Sequence, residues 1–302
     1  MADVPETTPQ RRRLAEALRE LRDTAQVDQT TLARQAGWSQ AKVSRIENAR
    51  TLPSAADIQT WARVTSASAD QFAELSRLAD AVSTEATAWR VLLGPGMRRV
   101  QIAVGERERL ARTMRLFQPA IVPGLLQTAE YARRLLAMAN PSASKEELAE
   151  AVATRIERQQ ILYDLDRRFE FLITEAGLRW RRGPTQVLAG QLGQVRSLAS
   201  LPNVRIGIIP LAVEANAAYL HSFVLHEDLP ETNEGADEEA FVIIETYTAE
   251  LAIHDPRDVM TYRQIFDRLS ASAVFDDEAA RLLGQITDEL VQGTNTDSAP
   301  RP

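Results

Sequence analysis

Residues 29–50, QTTLARQAGWSQAKVSRIENAR, decide how the first part of the chain folds. Gly37 ends one predicted helix, and Ser39 is a suitable N-cap for a second helix that continues to about residue 48. With a helical period, Val43 and Ile46 fall on one side of the second helix, which is therefore its buried side. The opposite side carries amide, hydroxyl, ammonium and guanidinium groups around a small alanine: Gln40, Ala41, Lys42, Ser44, Arg45 and Asn48.

This polar side fits the edges of DNA bases. Amides pair with adenine, a guanidinium pairs with guanine, and small side chains allow close approach to thymine methyl groups. A short turn between two helices is the arrangement that places the second helix in the major groove. Gln29 begins the first helix, where an amide and free backbone N–H groups can meet a phosphate. The alternative is an ordinary surface helix, and it is stronger for Arg45 alone because the chain is rich in arginine.

The stretch resembles the phage-repressor, Cro-like (XRE-type) family of helix-turn-helix domains, whose pattern is Q-x-x-L-A-x-x-x-G-x-S-x-x-x-[VI]-S-x-x-E. The resemblance implies that Gln29 contacts a phosphate and that Gln40, Ala41 and Arg45 read bases. It further implies backbone contacts from Asn48 and Arg50, auxiliary contacts from Lys42 and Ser44, and an internal ion pair between Arg22 and Glu47. Gln26 and Ala49 depart from the pattern, because glycine usually occupies these left-handed positions. Trp38 also departs from it, since it replaces a smaller apolar residue.

The whole chain is predicted to be multidomain. Residues 1–9 form a flexible tail, and residues 10–80 form an all-α bundle of five helices that contains the helix-turn-helix. Residues 81–100 are a connector with a break at Gly94-Pro95-Gly96. Residues 101–292 form an α+β domain, mixed and built around one sheet, and residues 293–302 are a disordered tail. A helix after residue 100 is expected to bury Ala103, Leu110, Met114 and Phe117.

The predicted sheet follows from short apolar runs bounded by turn residues. They are RFEFLIT, VRIGIIP, HSFVLHE, AFVIIETY and AELAIHD, and helices are predicted near 185–200, 256–272 and 277–292. The acidic stretch at 227–239 is interpreted as a solvated loop between two strands.

Composition and charge limit the class of function. The 302 residues are 44% hydrophobic and 25% charged, as in a folded protein, and lack a signal-like or membrane-spanning apolar run, so we expect a cytoplasmic location without membrane contact. The absence of cysteine excludes disulfides and thiolate-ligated zinc. The net charge is −7, yet residues 10–56 carry nine basic and five acidic residues, so the remainder carries −11. This asymmetry indicates that the first part alone approaches a polyanion.

The second half resembles the C-terminal domain of a large group of actinobacterial helix-turn-helix regulators that are antitoxin-like. The segment VPGLLQTAEYAR carries the resemblance, with RIERQQIL, LPNVRIGIIP and YRQIFDRLSASA. The resemblance implies a non-catalytic domain that binds a partner or holds a dimer together. Leu125 and Leu126 are expected in the core. Two sets of side chains could either bind a ligand or serve packing. The first, which could line a groove, is Gln127, Thr128, Tyr131 and Arg133; the second, which could surround a small ligand, is Trp89, Trp180 and Tyr219.

An enzyme is the rival class, and the sequence argues against it. His221 and His226 are five residues apart in a predicted strand, so they point to opposite faces, and His254 lies elsewhere. No phosphate-binding glycine loop, nucleophile elbow or H-E-x-x-H motif occurs. We therefore expect no catalytic, metal or cofactor site.

The sequence thus predicts a sequence-specific DNA-binding transcriptional regulator that binds double-stranded DNA as a homodimer. The alternative is an antitoxin-like or ligand-sensing regulator whose C-terminal half binds a small basic partner protein or a metabolite.

Overall fold

The computed structural model describes residues 9–88, 96–214, 216–229 and 240–297. Its internal contacts divide the chain into two compact units, the first built mainly from residues up to Glu85 and the second mainly from the residues that follow. Several sequence predictions fall outside the described residues: the N-terminal tail up to residue 8, Trp89, the break at 94–95, and residues 230–239 of the acidic stretch.

The first unit is the predicted bundle of five helices. They are α1 (Pro9–Thr24), α2 (Gln29–Ala36), α3 (Gln40–Glu47), α4 (Ala55–Val64) and α5 (Ala69–Ser83). The inward side chains of these helices form one apolar core around Trp61, which is fully buried and donates its indole N–H to the Leu18 carbonyl at 3.2 Å. The core fixes the position of α3 because Val43 and Ile46 are buried in it.

The second unit is built around one mixed sheet, as predicted. The strands are β1 (Thr84–Ala88), β2 (Thr113–Gln118), β3 (Arg168–Thr174), β4 (Val204–Ile209), β5 (Phe223–Glu227), β6 (Phe241–Glu245) and β7 (Ala249–Ile253), in the order β1-β7-β6-β5-β2-β3-β4. Residues 84–85 of β1 and 252–253 of β7 are assigned to the first unit. β3 pairs in parallel with both β2 and β4, whereas β5 pairs antiparallel with β2 and β6.

Seven α-helices accompany the sheet in the described part of the chain. They are α6 (Met97–Leu110), α7 (Ala129–Ala139), α8 (Lys145–Arg158), α9 (Glu175–Arg179), α10 (Thr185–Leu198), α11 (Pro256–Ser270) and α12 (Asp276–Asp297). Short 3-10 helices at Gly124–Leu126 and Gln159–Tyr163 precede α7 and follow α8. α12 reaches five residues into the segment that the sequence predicted to be a disordered tail.

The structure corrects the prediction of one continuous helix after residue 100. Residues 113–118 form strand β2, so Met114 and Phe117 are buried in the sheet and not on a helix. On α6 itself, Ala103 and Leu110 are exposed, and the buried side contains Gln101 and Glu108. The prediction failed because apolar residues at helical spacing also fit the end of a helix followed by a strand.

Candidate nucleic-acid interface

The turn between α2 and α3 is fixed by local caps. Gly37 has a φ of 74°, a left-handed conformation that glycine adopts without steric cost. The Trp38 N–H donates to the Ala33 carbonyl at 2.8 Å, which closes the end of α2. Ser39 then caps α3, because its hydroxyl accepts the Lys42 backbone N–H at 3.1 Å. This segment therefore holds the two helices at a short, rigid corner.

The outer side of α3 is partly open to solvent. Gln40 and Asn48 are exposed, while Ala41, Ser44 and Arg45 are half-buried. The only carboxylate of α3, Glu47, lies on the inner side and is 3% exposed. A phosphate or base edge approaching the outer side would consequently meet no negative charge from this helix.

Glu47 holds α1 and α2 against α3. Its carboxylate accepts two hydrogen bonds from Arg22, one from Nε and one from Nη2 at 3.1 Å, and a third from Gln29 Nε2 at 2.7 Å. The hydrogen bond to Glu47 raises the pKa of Arg22. Arg22 also donates from Nη1 to the Val27 carbonyl at 2.9 Å. The same guanidinium therefore holds the loop between α1 and α2. Paired and hydrogen-bonded in this way, the buried charges of Arg22 and Glu47 serve the fold.

Gln29 connects this internal pair to the outer side of α3. Its side-chain oxygen accepts a hydrogen bond from Gln40 Nε2 at 2.8 Å, while its nitrogen bonds to Glu47. Both ends of the Gln29 amide are used, which fixes its rotamer. The bond also holds Gln40 at the N-terminus of α3, where it is exposed.

Lys42, predicted to be an auxiliary DNA contact, is paired within the first unit. Its Nζ forms an ion pair with Asp57 Oδ1 at 2.8 Å and lies 4.8 Å from the centre of the Trp38 ring. Asp57 also takes part in the capping box of α4 with Ser54. Lys42 thus joins α3 to α4 in the free protein, and its auxiliary contact with DNA stays a prediction.

The remaining residues predicted to contact DNA lie at the C-terminal end of α3. Asn48 Nδ2 donates a hydrogen bond to the Ser44 carbonyl at 2.7 Å. Asn48 and Arg50 are both exposed. Ala49 lies between them with a φ of 56°, and Gln26 has the same φ in the turn before α2. Both non-glycine residues therefore adopt the left-handed conformation.

Sequence reasoning missed Arg19 at this site. Arg19 Nη2 donates to the Glu47 carbonyl at 2.7 Å and lies 3.5 Å from Asn48 Oδ1, and its side chain is 46% exposed. It is a cation at the C-terminus of α3, where the helix dipole favours positive charge. No spacing rule could have indicated it, because Arg19 and Glu47 are 28 residues apart.

The candidates of the second unit mainly serve packing. Leu125 and Leu126 are buried, as predicted, and so is Tyr131. Thr128 caps α7, and Gln127 is buried with its amide bonded to the Val122 carbonyl at 2.7 Å. The other predicted groove or pocket residues are at the surface: Arg133, Trp180 and Tyr219.

The three histidines lie in different environments. Burial is the main cause that lowers the pKa of His226 to about 3 and that of His254 to about 4. His221 Nε2 lies 3.3 Å from the Tyr262 hydroxyl. Within the described ranges, no three histidine or carboxylate side chains are grouped in a way that could hold a metal ion. None of the helices described there is both long and apolar enough to cross a membrane.

Comparisons with known proteins agree with the division into two parts. A family described as a helix-turn-helix domain matches residues 13–75, and one described as "Domain of unknown function (DUF5753)" matches residues 101–285. Among curated proteins no match is found. A solved structure of TrmBL2, an archaeal chromatin protein, is 11% identical, with 72% of this chain and 67% of that chain covered and a TM-score of 0.29.

Both resemblances seen in the sequence are thus confirmed at the level of the domains. The second match spans more than half of the chain. The chain belongs to the DUF5753 family, with a helix-turn-helix domain at its N-terminal side.

Proposed function

We propose that this protein is a sequence-specific DNA-binding transcriptional regulator in which α3 is the recognition helix. The proposal is supported by one observation: the outer side of α3 is partly exposed and carries no carboxylate, while its inner side is buried in the core. Gln40, Ala41 and Arg45 would read bases in the major groove. Asn48 and Arg50 would contact the DNA backbone, with Ser44 as an auxiliary contact. Gln29, whose side-chain amide is held by Glu47 and Gln40, would do so through the backbone N–H groups at the start of α2.

Arg19 is added to this set, and Lys42 stays in it as an auxiliary contact. Arg19 lies 3.8 Å from Glu47, but its side chain is 46% exposed, so it would add positive charge beside the end of α3. Lys42 is 20% exposed and pairs more closely with Asp57, at 2.8 Å. Phosphate contacts of this kind supply affinity without sequence preference.

The protein is proposed to act as a homodimer. One small module with a single recognition helix buries too little surface for tight specific binding, so two copies would contact half-sites about 34–36 Å apart. Sedimentation at micromolar concentration, with and without operator DNA, tests this step. A monomer under both conditions would contradict it.

Replacement of Arg45 by Ala tests the recognition helix. We expect a loss of about 1–3 kcal/mol at one base pair of the site, with non-specific binding nearly unchanged. The matched control is Arg63→Ala, which removes an exposed arginine of α4 in the same unit. Fluorescence anisotropy with the preferred site and its single-base variants measures both. Uniform weakening on all sequences would assign Arg45 to the backbone.

The acidic remainder of the chain supports a second role for the C-terminal domain. Residues 101–292 carry 20 basic and 29 acidic residues, a net charge of −9. This charge fits a small basic partner protein, in the manner of an antitoxin-like regulator, and such binding is compatible with DNA binding by the same chain. Co-purification of the chain with the product of the neighbouring gene tests it. If the two proteins do not co-purify at low salt, partner binding is contradicted and dimerisation is the role that remains for the domain.

A further inference from the structure

Three parallel strands of the second unit end level with one another at one edge of the sheet. β3 runs parallel to β2 and β4, and its last two residues pair with the last residues of both, Gln118 and Ile209. β5 begins at the same edge, because it is antiparallel to β2 and its Phe223 pairs with Phe117. The segments that follow β3 and β4 and the segment that precedes β5 therefore lie at this edge.

A long loop connects two of these strands along the edge. Residues 210–222 lead from β4 to β5, and both β3 and β2 lie between those strands in the sheet. The loop is anchored at both ends. The Leu211 N–H donates to Glu175 Oε2 at 2.8 Å, and the ring centres of Tyr219 and Phe117 are 5.1 Å apart. Because these contacts fix the loop, its outward side chains cannot turn into the core without breaking them.

Large apolar side chains are exposed along this edge. Leu211, Val213, Tyr219 and Leu220 of the loop, and Trp180 at the end of α9, are between 43% and 93% exposed. We call these five residues the edge surface. Together they expose on the order of 500 Å² of side chain, as much as the largest apolar patch on a typical soluble monomer. A patch of this size marks a site where another molecule binds.

The charge of the loop indicates which kind of molecule binds. Residues 210–222 contain no lysine or arginine and a single carboxylate, Glu214, although a quarter of the whole chain is charged. DNA would need basic groups here, and a basic partner protein would need several acidic ones. A two-fold contact between identical chains places the same surface on both sides. A charged surface would then repel itself, whereas an apolar surface is complementary to itself.

We propose that the edge surface is where two copies of this chain bind each other. The inference rests on the proposed homodimer and adds the surface that forms it. Tryptophan, tyrosine and arginine are enriched at the centres of protein interfaces. The edge surface contains the first two, and the guanidinium carbon of Arg182 lies 3.7 Å from the centre of the Trp180 ring. The fixed loop also reduces the entropy that association would cost.

Sedimentation of the full-length protein without DNA tests the surface. Leu220→Glu and Leu220→Lys should each raise the dimer Kd at least about tenfold, because either charge would be buried in the contact. Both variants should fold, since Leu220 is 93% exposed. The matched control is Leu165→Glu, which changes a leucine that is 67% exposed in the segment before β3, at the opposite edge of the sheet. The control should dimerise like the parent.

Cross-linking locates the contact directly. The chain has no cysteine, so single-cysteine variants can be linked without background. With a short thiol-specific cross-linker at micromolar concentration, Leu220→Cys and Leu211→Cys should give covalent dimers, and Leu165→Cys should not.

Three results would overturn the inference: dimerisation unchanged in both charged variants, an equal loss in the Leu165→Glu control, or opposite effects of the two charges, which would indicate a charged partner instead of a second copy. A dimer that persists in the charged variants removes only the surface and leaves the proposed homodimer standing. A parent protein that is monomeric with and without DNA contradicts the homodimer itself. DNA binding by α3 is measured separately with the Arg45→Ala variant.

Discussion

Replacement of Glu47 by Gln should destabilise the first unit strongly. The Glu47 side chain is 1% exposed and its carboxylate accepts hydrogen bonds from Arg22 and Gln29. Glutamine keeps the shape but removes the charge. It leaves the guanidinium of Arg22, whose side chain is 11% exposed, with the exposed carboxylate of Asp23 as its remaining counter-charge, at 2.6 Å. Removal of one partner from a buried ion pair costs about 3–5 kcal/mol, which is a large part of the stability of a domain of this size.

Urea unfolding of the full-length protein measures the loss. Trp38 and Trp61 lie in or against the core of the first unit with ring centres 6.1 Å apart. With Trp89 and Trp180 replaced by Phe in every variant, the remaining tryptophan fluorescence follows this unit. Glu74→Gln is the matched control, because Glu74 pairs with Arg77 on the surface with both side chains exposed, and its loss should cost less than about 1 kcal/mol. The double variant Arg22→Met, Glu47→Met should recover most of the stability, since apolar residues of similar volume replace the whole pair.

Two results would refute this reasoning. If Glu47→Gln costs no more than Glu74→Gln, burial of the carboxylate contributes nothing to the stability of the unit. If the double methionine variant loses the sum of the two single losses, the two side chains do not act as a pair.

Two further predictions concern the second unit. Gly207→Ala should cost about 1–3 kcal/mol of stability, because its Cβ would lie 2.5 Å from a Phe275 ring carbon and 2.7 Å from Leu172. Gly193→Ala should stabilise the protein by up to about 1 kcal/mol, because its Cβ meets nothing within 4 Å on helix α10. Thermal denaturation compares the two variants, and equal effects would contradict the packing at β4. Burial lowers the pKa of His226 from 6.5 to about 3, so the stability that neutral His226 contributes is complete above pH 6.5 and is lost as the pH falls toward 3. In urea unfolding, the parent protein should lose roughly 2 kcal/mol more than His226→Phe between pH 7 and pH 5. Equal losses would show that His226 is protonated in the folded state.

Short-range patterns determined the first unit from the sequence. The caps at Gly37 and Ser39 and the spacing of Val43 and Ile46 each depend on residues within one or two helical turns. The same patterns also placed the open side of α3. Most strands of the second unit were predicted for a related reason, because apolar runs between turn residues are a local signal.

Tertiary structure alone decided which side chains pair across these elements. Thr113 to Gln118 became a strand because β3 and β5 lie on either side of it, at partners more than 50 residues away in the chain. Distant partners also turned Lys42 toward Asp57 and brought Arg19 to the end of α3. Glu108 of α6 is paired with Arg158, which lies on another helix. Local propensity acts over a few residues, whereas the free energy of burying a charge or pairing a strand depends on groups that only the folded chain brings together.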